Sequence, residues 1–349
     1  MTATDRNVLV TLRFFDNESM AILRDAGCTV TIHEPPPGAN DGAFSPPELK
    51  EMLAGKQGWI VGHAWVTREV LESAPQLAVV ARRGVGYERV DAVAAKELGK
   101  VVTIAAGGNA PSVADQAIGL MIGIGRRFRE QHERMAAGDW TILVGTELYR
   151  STVGLIGFGR IARQLARRLK GFETEILAYS PRLDAATAAE YGVRPVDLPS
   201  LLRESDYVSV HAPLNASTRH LVDAQALSSM KKTAILVNTS RGGLVDETAL
   251  LAALRAGAIA GAALDVFEGE IDPAMRAVAQ ELLKLPNFIG QPHSGASTSE
   301  ALGRSNVLAA RSIAAVLTGT PPVADCVVVD GRAPASVSEH QGRETTCHS

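Results

Sequence analysis

Residues 153–162, VGLIGFGRIA, join a short apolar run to Gly157, Gly159 and Ala162 in a G-x-G-x-x-A pattern that leads into a helical segment. Such a loop lets backbone N–H groups, here those around Phe158, Gly159, Arg160 and Ile161, approach a pyrophosphate, while the start of the next helix offers its positive dipole end. Four later segments end apolar runs on polar side chains. YVSVHAPL delivers His211, with Ala212 and Pro213 behind it; AILVNTSRGG delivers Thr239, Ser240 and Arg241; GAALDVFEGE delivers Asp265, Glu268 and Glu270; NFIGQPHSG delivers His293 and Gly295. A planar guanidinium grips a carboxylate through two parallel hydrogen bonds, which suits Arg241 to an acidic substrate. A histidine beside a carboxylate can hold and release a proton near neutrality, which suits His293 paired with Glu270 to acid–base work. Each also has an ordinary explanation. Arg241 could anchor a loop or pair with Asp246, His293 could be satisfied by backbone, Glu270 could sit in a solvated acidic loop, and Asp265 could cap one.

These segments need elements that bring their ends together. In open α/β sheets ligands bind outside the carboxyl ends of the strands, so polar residues that follow apolar runs are the ones to gather. Before the glycine loop, apolar runs at 8–12, 28–32, 59–61, 77–81 and 101–104 alternate with helix-patterned segments; after it come runs at 175–179, 207–210, 234–237, 258–264 and 288–290. That alternation predicts two open α/β sheets, with a long helical stretch over 113–137 between them and a further helix from about residue 296. The expected division is a discontinuous substrate domain, 1–108 with 296–329, a nucleotide domain, 109–295, and a disordered polar tail, 330–349. AGGNAP, residues 106–111, reads as a hinge beside a cleft. The Pro-rich stretch EPPPGANDGAFSPPE reads as a surface loop before a helix.

The chain has 349 residues, 46% hydrophobic, enough for two cores, and a formal net charge of -3. That charge leaves no electrostatic footprint for nucleic acid. Cys28, Cys326 and Cys347 are too few for a disulfide framework or a metal cluster, so free thiols and no bound metal are expected. No run approaches the ~20 apolar residues needed to span a bilayer and no signal peptide is visible, which makes the cytoplasm the expected location and a membrane an unexpected partner.

Taken together, ARRGVGYERVD (81–91), VGLIGFGRIA, HAPLNASTRHLV, LVNTSRGGLVDE, GAALDVFEGE and QPHSG resemble, in order, the motifs of the D-isomer-specific 2-hydroxyacid dehydrogenases, over about residues 59–329. The resemblance implies a Rossmann-type nucleotide domain inserted in a flavodoxin-like substrate domain, both doubly wound parallel sheets. It implies that Arg241, Glu270 and His293 are catalytic, that the backbone of Val85 and Gly86 receives the substrate carboxylate, and that Thr218 and Asp265 touch the cofactor. It further implies a homodimer formed through the helical stretch 113–137. Departures matter. Relatives that prefer NAD usually end the second strand of this domain on an acid, whereas LAYSPR places Ser180 there with Arg182 two residues on, which would accommodate a 2′-phosphate and leaves NADP open beside NAD. Ile271 stands where the family often has proline, which loosens the assignment of Glu270 over Glu268. The segment IVGHAWVT lacks the arginine–serine pair of phosphoglycerate-specific relatives, so His63 and Trp65 suggest another side group. The expected activity is hydride transfer between a nicotinamide cofactor and C2 of a small 2-oxo or 2-hydroxy acid. The alternatives are a dinucleotide-sensing protein like the family's corepressors, or a dehydrogenase of the same build acting on 3-phosphoglycerate or phosphite.

Overall fold

The computed structural model describes residues 6–332. Cys347 and all but the start of the expected tail, 330–349, lie outside the described residues. The chain divides into two units: one runs to Ala106 and resumes at Gly303, and the other is Gly107–Leu302.

The first unit is built on β1 (Arg6–Val10), β2 (Cys28–Ile32), β3 (Gly58–Val61), β4 (Val79–Arg82) and β5 (Val101–Ile104). These pair in parallel in the order β5-β4-β3-β1-β2, the flavodoxin-like arrangement. β2 at the sheet edge is largely half-buried or exposed, whereas Val8, Leu9, Val10, Trp59, Ile60 and Val80 are fully buried, so β1, β3 and β4 meet apolar side chains on both faces. Such strands read as unbroken apolar runs, which is why the sequence pattern finds them. The Pro-rich stretch is more than a surface loop. A 3₁₀ turn, Asp41–Ala43, points the Asp41 carboxylate inward, where it accepts the N–H groups of Gly62 (2.7 Å) and His63 (2.6 Å).

The second unit carries β6 (Thr152–Ile156), β7 (Glu175–Tyr179), β8 (Arg194–Pro195), β9 (Tyr207–Val210), β10 (Ile235–Asn238), β11 (Gly261–Leu264) and β12 (Phe288–Gly290). All pair in parallel, in the order β12-β11-β10-β9-β6-β7-β8. Counted from β6, this is the Rossmann order 3-2-1-4-5-6 with one strand added, and its order reverses at β6, between β7 and β9. Apolar layers cover both faces, one containing Leu155, Leu165 and Val237, the other Ile156, Val210 and Leu236. Aspartates 184, 197, 223 and 246 cap the helices that follow β7, β8, β9 and β10 by accepting N–H groups of their first turns.

β13 (Val327–Asp330) returns to the first unit and pairs antiparallel with β5 at the sheet edge. The helical stretch expected over 113–137 is two helices, Ala110–Gly125 and Phe128–Ala136. Arg127 between them has φ 54, in the left-handed region. The break has a tertiary cause: the Gly125 carbonyl accepts the N–H of Thr146 at 2.8 Å, and a Cβ on Gly125 would lie 2.7 Å from the Tyr207 hydroxyl. The returning chain presses against the helix end, and the helix turns away. Among the described residues no helix is long and apolar enough to cross a membrane.

Candidate active site

The glycine loop leaves β6 at the point where strand order reverses. Gly157 has φ 91, and its N–H donates to the Tyr179 carbonyl at 2.8 Å. A Cβ there would lie 2.7 Å from the His211 carbonyl carbon and oxygen, so only glycine lets the loop lie against the end of β9. Gly159 is the N-cap of the helix Arg160–Leu169; it makes no side-chain cap bond, and a Cβ on it would meet nothing within 4 Å. No side chain thus caps this helix start, as an anion-binding terminus requires. Phe158 turns its ring into the core, edge-on to Tyr191 at 5.6 Å, so only its backbone is left to face a ligand. Ile161 is half-buried on the same first turn.

Ser180 and Arg182 follow β7 directly, Ser180 half-buried and Arg182 exposed. His211 follows β9; its Nε2 lies 2.9 Å from the Ser209 hydroxyl, its Nδ1 is buried without a partner, and burial holds its pKa down to about 4. It is a neutral wall beside the loop rather than a proton carrier. Ala212 accepts the Ser240 hydroxyl at 2.7 Å, which ties the loops after β9 and β10 together. Thr218 donates its hydroxyl to the Pro213 carbonyl at 2.6 Å and closes that loop. Thr239, at the end of β10, has a buried hydroxyl without a partner. The open Gly159 at an uncapped helix start and unpartnered buried polar atoms on His211 and Thr239 all lie at the carboxyl ends of β6, β9 and β10. A dinucleotide fits this set: its phosphates match the N–H groups and its polar edges the orphaned atoms.

The titratable groups lie on the same unit. His293 Nδ1 is 2.8 Å from Glu270 Oε2, and the other Glu270 oxygen accepts the N–H of Phe267 at 2.8 Å. Burial pushes the Glu270 pKa up, but the His293 hydrogen bond and charge, the Phe267 N–H and the charge of Arg241 outweigh it and hold the carboxyl below its ordinary value. Arg241 is half-buried, and its Nη1 donates to the Ser240 carbonyl at 2.8 Å. A Cβ on Gly242 would lie 2.2 Å from the Phe267 carbonyl carbon, so this glycine lets the Arg241 turn lie flat against the segment that carries Glu270. Val85 and Gly86 belong to the first unit, half-buried on the loop that leaves β4.

Asp265 is 1% exposed, and its oxygens face inward. Oδ1 accepts the N–H of Ser294 (2.8 Å) and the amide of Gln116 (3.1 Å), Oδ2 accepts the N–H of Gly295 (2.9 Å), and the backbone carbonyl accepts the N–H of His293 (2.8 Å). His293 itself has φ 55, in the left-handed region that few non-glycine residues adopt. Asp265 thus caps the loop that holds His293, one of the two roles its sequence position allowed. Gln116 and Ser294 belong to the same network and escape sequence reading: Gln116 sits in an apolar helix with no motif around it. Glu268 also leaves the acid–base pair. Its Oε1 lies 2.6 Å from Arg219 Nη2 and 3.2 Å from His220 Nε2.

A glycine loop at the switch point of a doubly wound domain and a histidine–carboxylate pair on the same domain are features that a dinucleotide-dependent oxidoreductase needs. Residues 118–295 match the family model described as D-isomer specific 2-hydroxyacid dehydrogenase, NAD binding domain. The chain is 37% identical over 321 residues to a glyoxylate reductase of Thermofilum pendens, covering 89% of this chain and 92% of that relative. It is 41% identical over 257 residues to a D-3-phosphoglycerate dehydrogenase of Methanocaldococcus jannaschii, covering 73% of this chain but only 48% of that relative's length. Among solved structures, the TT0316 protein from Thermus thermophilus superimposes with a TM-score of 0.80 at 33% identity, over 93% of this chain and all of that one. The protein belongs to the D-isomer-specific 2-hydroxyacid dehydrogenase family.

Proposed function

We propose that this protein reduces a small 2-oxo acid to the D-2-hydroxy acid, or runs the reverse oxidation, with His293 as the acid–base group. The observation that carries the reading is the 2.8 Å contact between His293 Nδ1 and Glu270 Oε2. With Nδ1 engaged by the carboxylate, Nε2 is the ring nitrogen that gives the substrate's C2 oxygen its proton in reduction and takes it back in oxidation. A bound NAD(H) or NADP(H) supplies the hydride at C4 of its nicotinamide ring. Arg241 holds the substrate carboxylate and polarises the carbonyl. Phe158, Gly159, Arg160 and Ile161 would hold the pyrophosphate through their N–H groups. His211, Ala212, Pro213, Thr218, Thr239 and Gly295 would flank the rest of the dinucleotide, and Asp265 would flank it from behind the His293 loop.

Ser180 and the exposed Arg182 in place of a terminal acid support use of NADPH as well as NADH. The absence of an arginine–serine pair in IVGHAWVT, and the likeness to a glyoxylate reductase over nearly the whole chain, favour small 2-oxo acids of the glyoxylate type over phosphoglycerate. A homodimer is the proposed assembly: Trp140, Ile142 and Val144 are 76%, 85% and 85% exposed just after the helix Phe128–Ala136, an apolar strip that a second copy would cover. The free, buried thiols of Cys28 and Cys326 accord with a reducing cytoplasm.

The test is a panel of glyoxylate, hydroxypyruvate, pyruvate and bulkier 2-oxo acids with NADH and NADPH in parallel. Turnover is expected, and His293→Ala should lower it by ~10² to 10⁴ while cofactor affinity stays near the parent's. Arg182→Ala should reduce the relative use of NADPH. Tight cofactor binding without turnover of any acid would overturn the enzyme reading and leave a dinucleotide sensor.

A further inference from the structure

Glu247 is the first residue of the helix Glu247–Arg255, yet it is 1% exposed, where an ionisable side chain is seldom found without a partner. Its Oε2 has no partner, and its Oε1 accepts a single bond, from the backbone N–H of Glu268 at 2.6 Å. Burial pushes its pKa up to about 7; the charges of Glu268, Glu270 and Asp246 add to that, and the Glu268 N–H opposes it. The fold thus accepts a buried, poorly satisfied carboxyl to meet one N–H, which is costly unless that N–H must be held.

Glu268 opens the 3₁₀ turn Glu268–Glu270. Its own side chain is held on the far side by Arg219 and His220, and the Gly242 turn lies against the Phe267–Glu268 peptide. Glu270, at the other end of the turn, is then held by the N–H of Phe267 and by His293. Among the described residues nothing else accepts the Glu268 N–H, so without Glu247 the turn would either leave a buried donor unmet or rotate to find an acceptor.

We infer that Glu247 is a positioning residue for the proton-transfer pair: by accepting the Glu268 N–H it fixes the turn from which Glu270 reaches His293. The inference rests on the proposed roles of Glu270 and His293. Glu247→Gln keeps an acceptor of the same length and should keep kcat within about twofold of the parent, whereas Glu247→Leu fills the space without an acceptor. The leucine variant should lose about tenfold in kcat, a fraction of the ~10² to 10⁴ that acid–base catalysis contributes, with KM and cofactor affinity near the parent's. Glu270, released from His293, should titrate at higher pH, read by carbon NMR of labelled carboxyls. Glu247→Asp, which keeps the charge but retracts the acceptor, should move Glu270 the same way and stands in if the leucine variant does not fold. Parent-like Glu270 titration in both the leucine and aspartate variants, even with lowered thermal stability, would overturn the inference. So would a glutamine variant as impaired as the leucine one. Because the NMR titration needs no turnover, a shift seen in a protein inactive on every acid would sustain Glu247's role while the proposed reaction fell.

Discussion

Glu270→Gln isolates the charge of the acid–base pair from its geometry. The amide keeps the size of the side chain and an oxygen that can still accept the Phe267 N–H, now 2.8 Å from Oε1, so the turn should hold its shape. What disappears is the anion 2.8 Å from His293 Nδ1. A hydrogen bond to a charged group contributes about 1.5–3 kcal/mol. The two side chains are 45% and 39% exposed, so water screens the pair, and about 1–2 kcal/mol is the appropriate share. If that share acts on the transition state, kcat/KM falls roughly 5- to 30-fold. The pH profile adds a sign. Glu270 titrates below its ordinary value because the His293 and Arg241 charges and two hydrogen bonds outweigh burial. The parent pair should therefore persist as pH falls through the ordinary carboxyl value of 4.5 and be lost only below it, whereas the glutamine variant has no carboxyl to lose there. Initial rates followed by the absorbance of the reduced nicotinamide, from neutral pH downward, give both readings. A variant with the parent's kcat/KM and the parent's acid limb would refute the pairing as a source of catalysis.

Gly157→Ala forces a Cβ to 2.7 Å from the His211 backbone at φ 91, and left-handed strain alone amounts to ~1–2 kcal/mol, so cofactor affinity should fall about tenfold or more by titration calorimetry. An unchanged dissociation constant would mean that the loop does not hold the dinucleotide. Asp265→Ala removes the acceptor of the Ser294, Gly295 and Gln116 donors at once and should lower unfolding stability by about 1–3 kcal/mol in urea, since the Gly295 donor is buried, an unmet buried donor costs ~1–3 kcal/mol, and the other two donors are only part-buried. A loss under about 1 kcal/mol would show that those donors find other partners. Trp140→Asp with Ile142→Asp should convert the proposed dimer to monomers in light scattering, because each places a charge on a strip now 76–85% exposed and apolar. A parent-like mass would move the interface elsewhere.

The sheets were legible wherever a strand is covered on both faces. β3, β6, β9 and β10 are almost wholly buried and mostly apolar, and such runs announce themselves. β8 has two exposed residues and no run to read; β13 carries the apolar run Val327–Val329, but it is half-buried at an antiparallel edge and no helix-patterned segment follows it, so it falls outside the strand–helix alternation. The break at Arg127 was invisible for another reason: its cause, the chain at Thr146 and the Tyr207 hydroxyl, is distant in sequence. In the site, the residue types at strand ends were legible because parallel sheets place them there. The hidden carboxyl of Asp41 and the buried acid of Glu247 were not, since a charged residue in a Pro-rich loop or a first helical turn reads as solvated.

The segment DVFEGE shows why composition could not divide its acids among their tasks, and geometry can. A 3₁₀ turn has three residues per turn, so side chains three apart share a face and those two apart do not. Within Glu268–Glu270 the two glutamates are therefore directed apart: Glu270 turns back over Phe267 toward His293, while Glu268 reaches Arg219 and His220. They cannot exchange roles without unwinding the turn. Asp265, ahead of the turn at the end of β11, meets the His293 loop from the other side and holds its backbone in the left-handed region. Ile271, 79% exposed after the turn, takes no part in any of these bonds through its side chain, so its replacement of the family's frequent proline leaves the division of labour among the three acids intact. The histidine is thus set by two acidic residues with separate jobs: the Glu270 carboxylate acts on its ring, while Asp265 holds its loop, through the backbone carbonyl to the His293 N–H and through the carboxylate to the N–H groups of Ser294 and Gly295. The third acid, Glu268, ties the turn between them to the loop that follows β9.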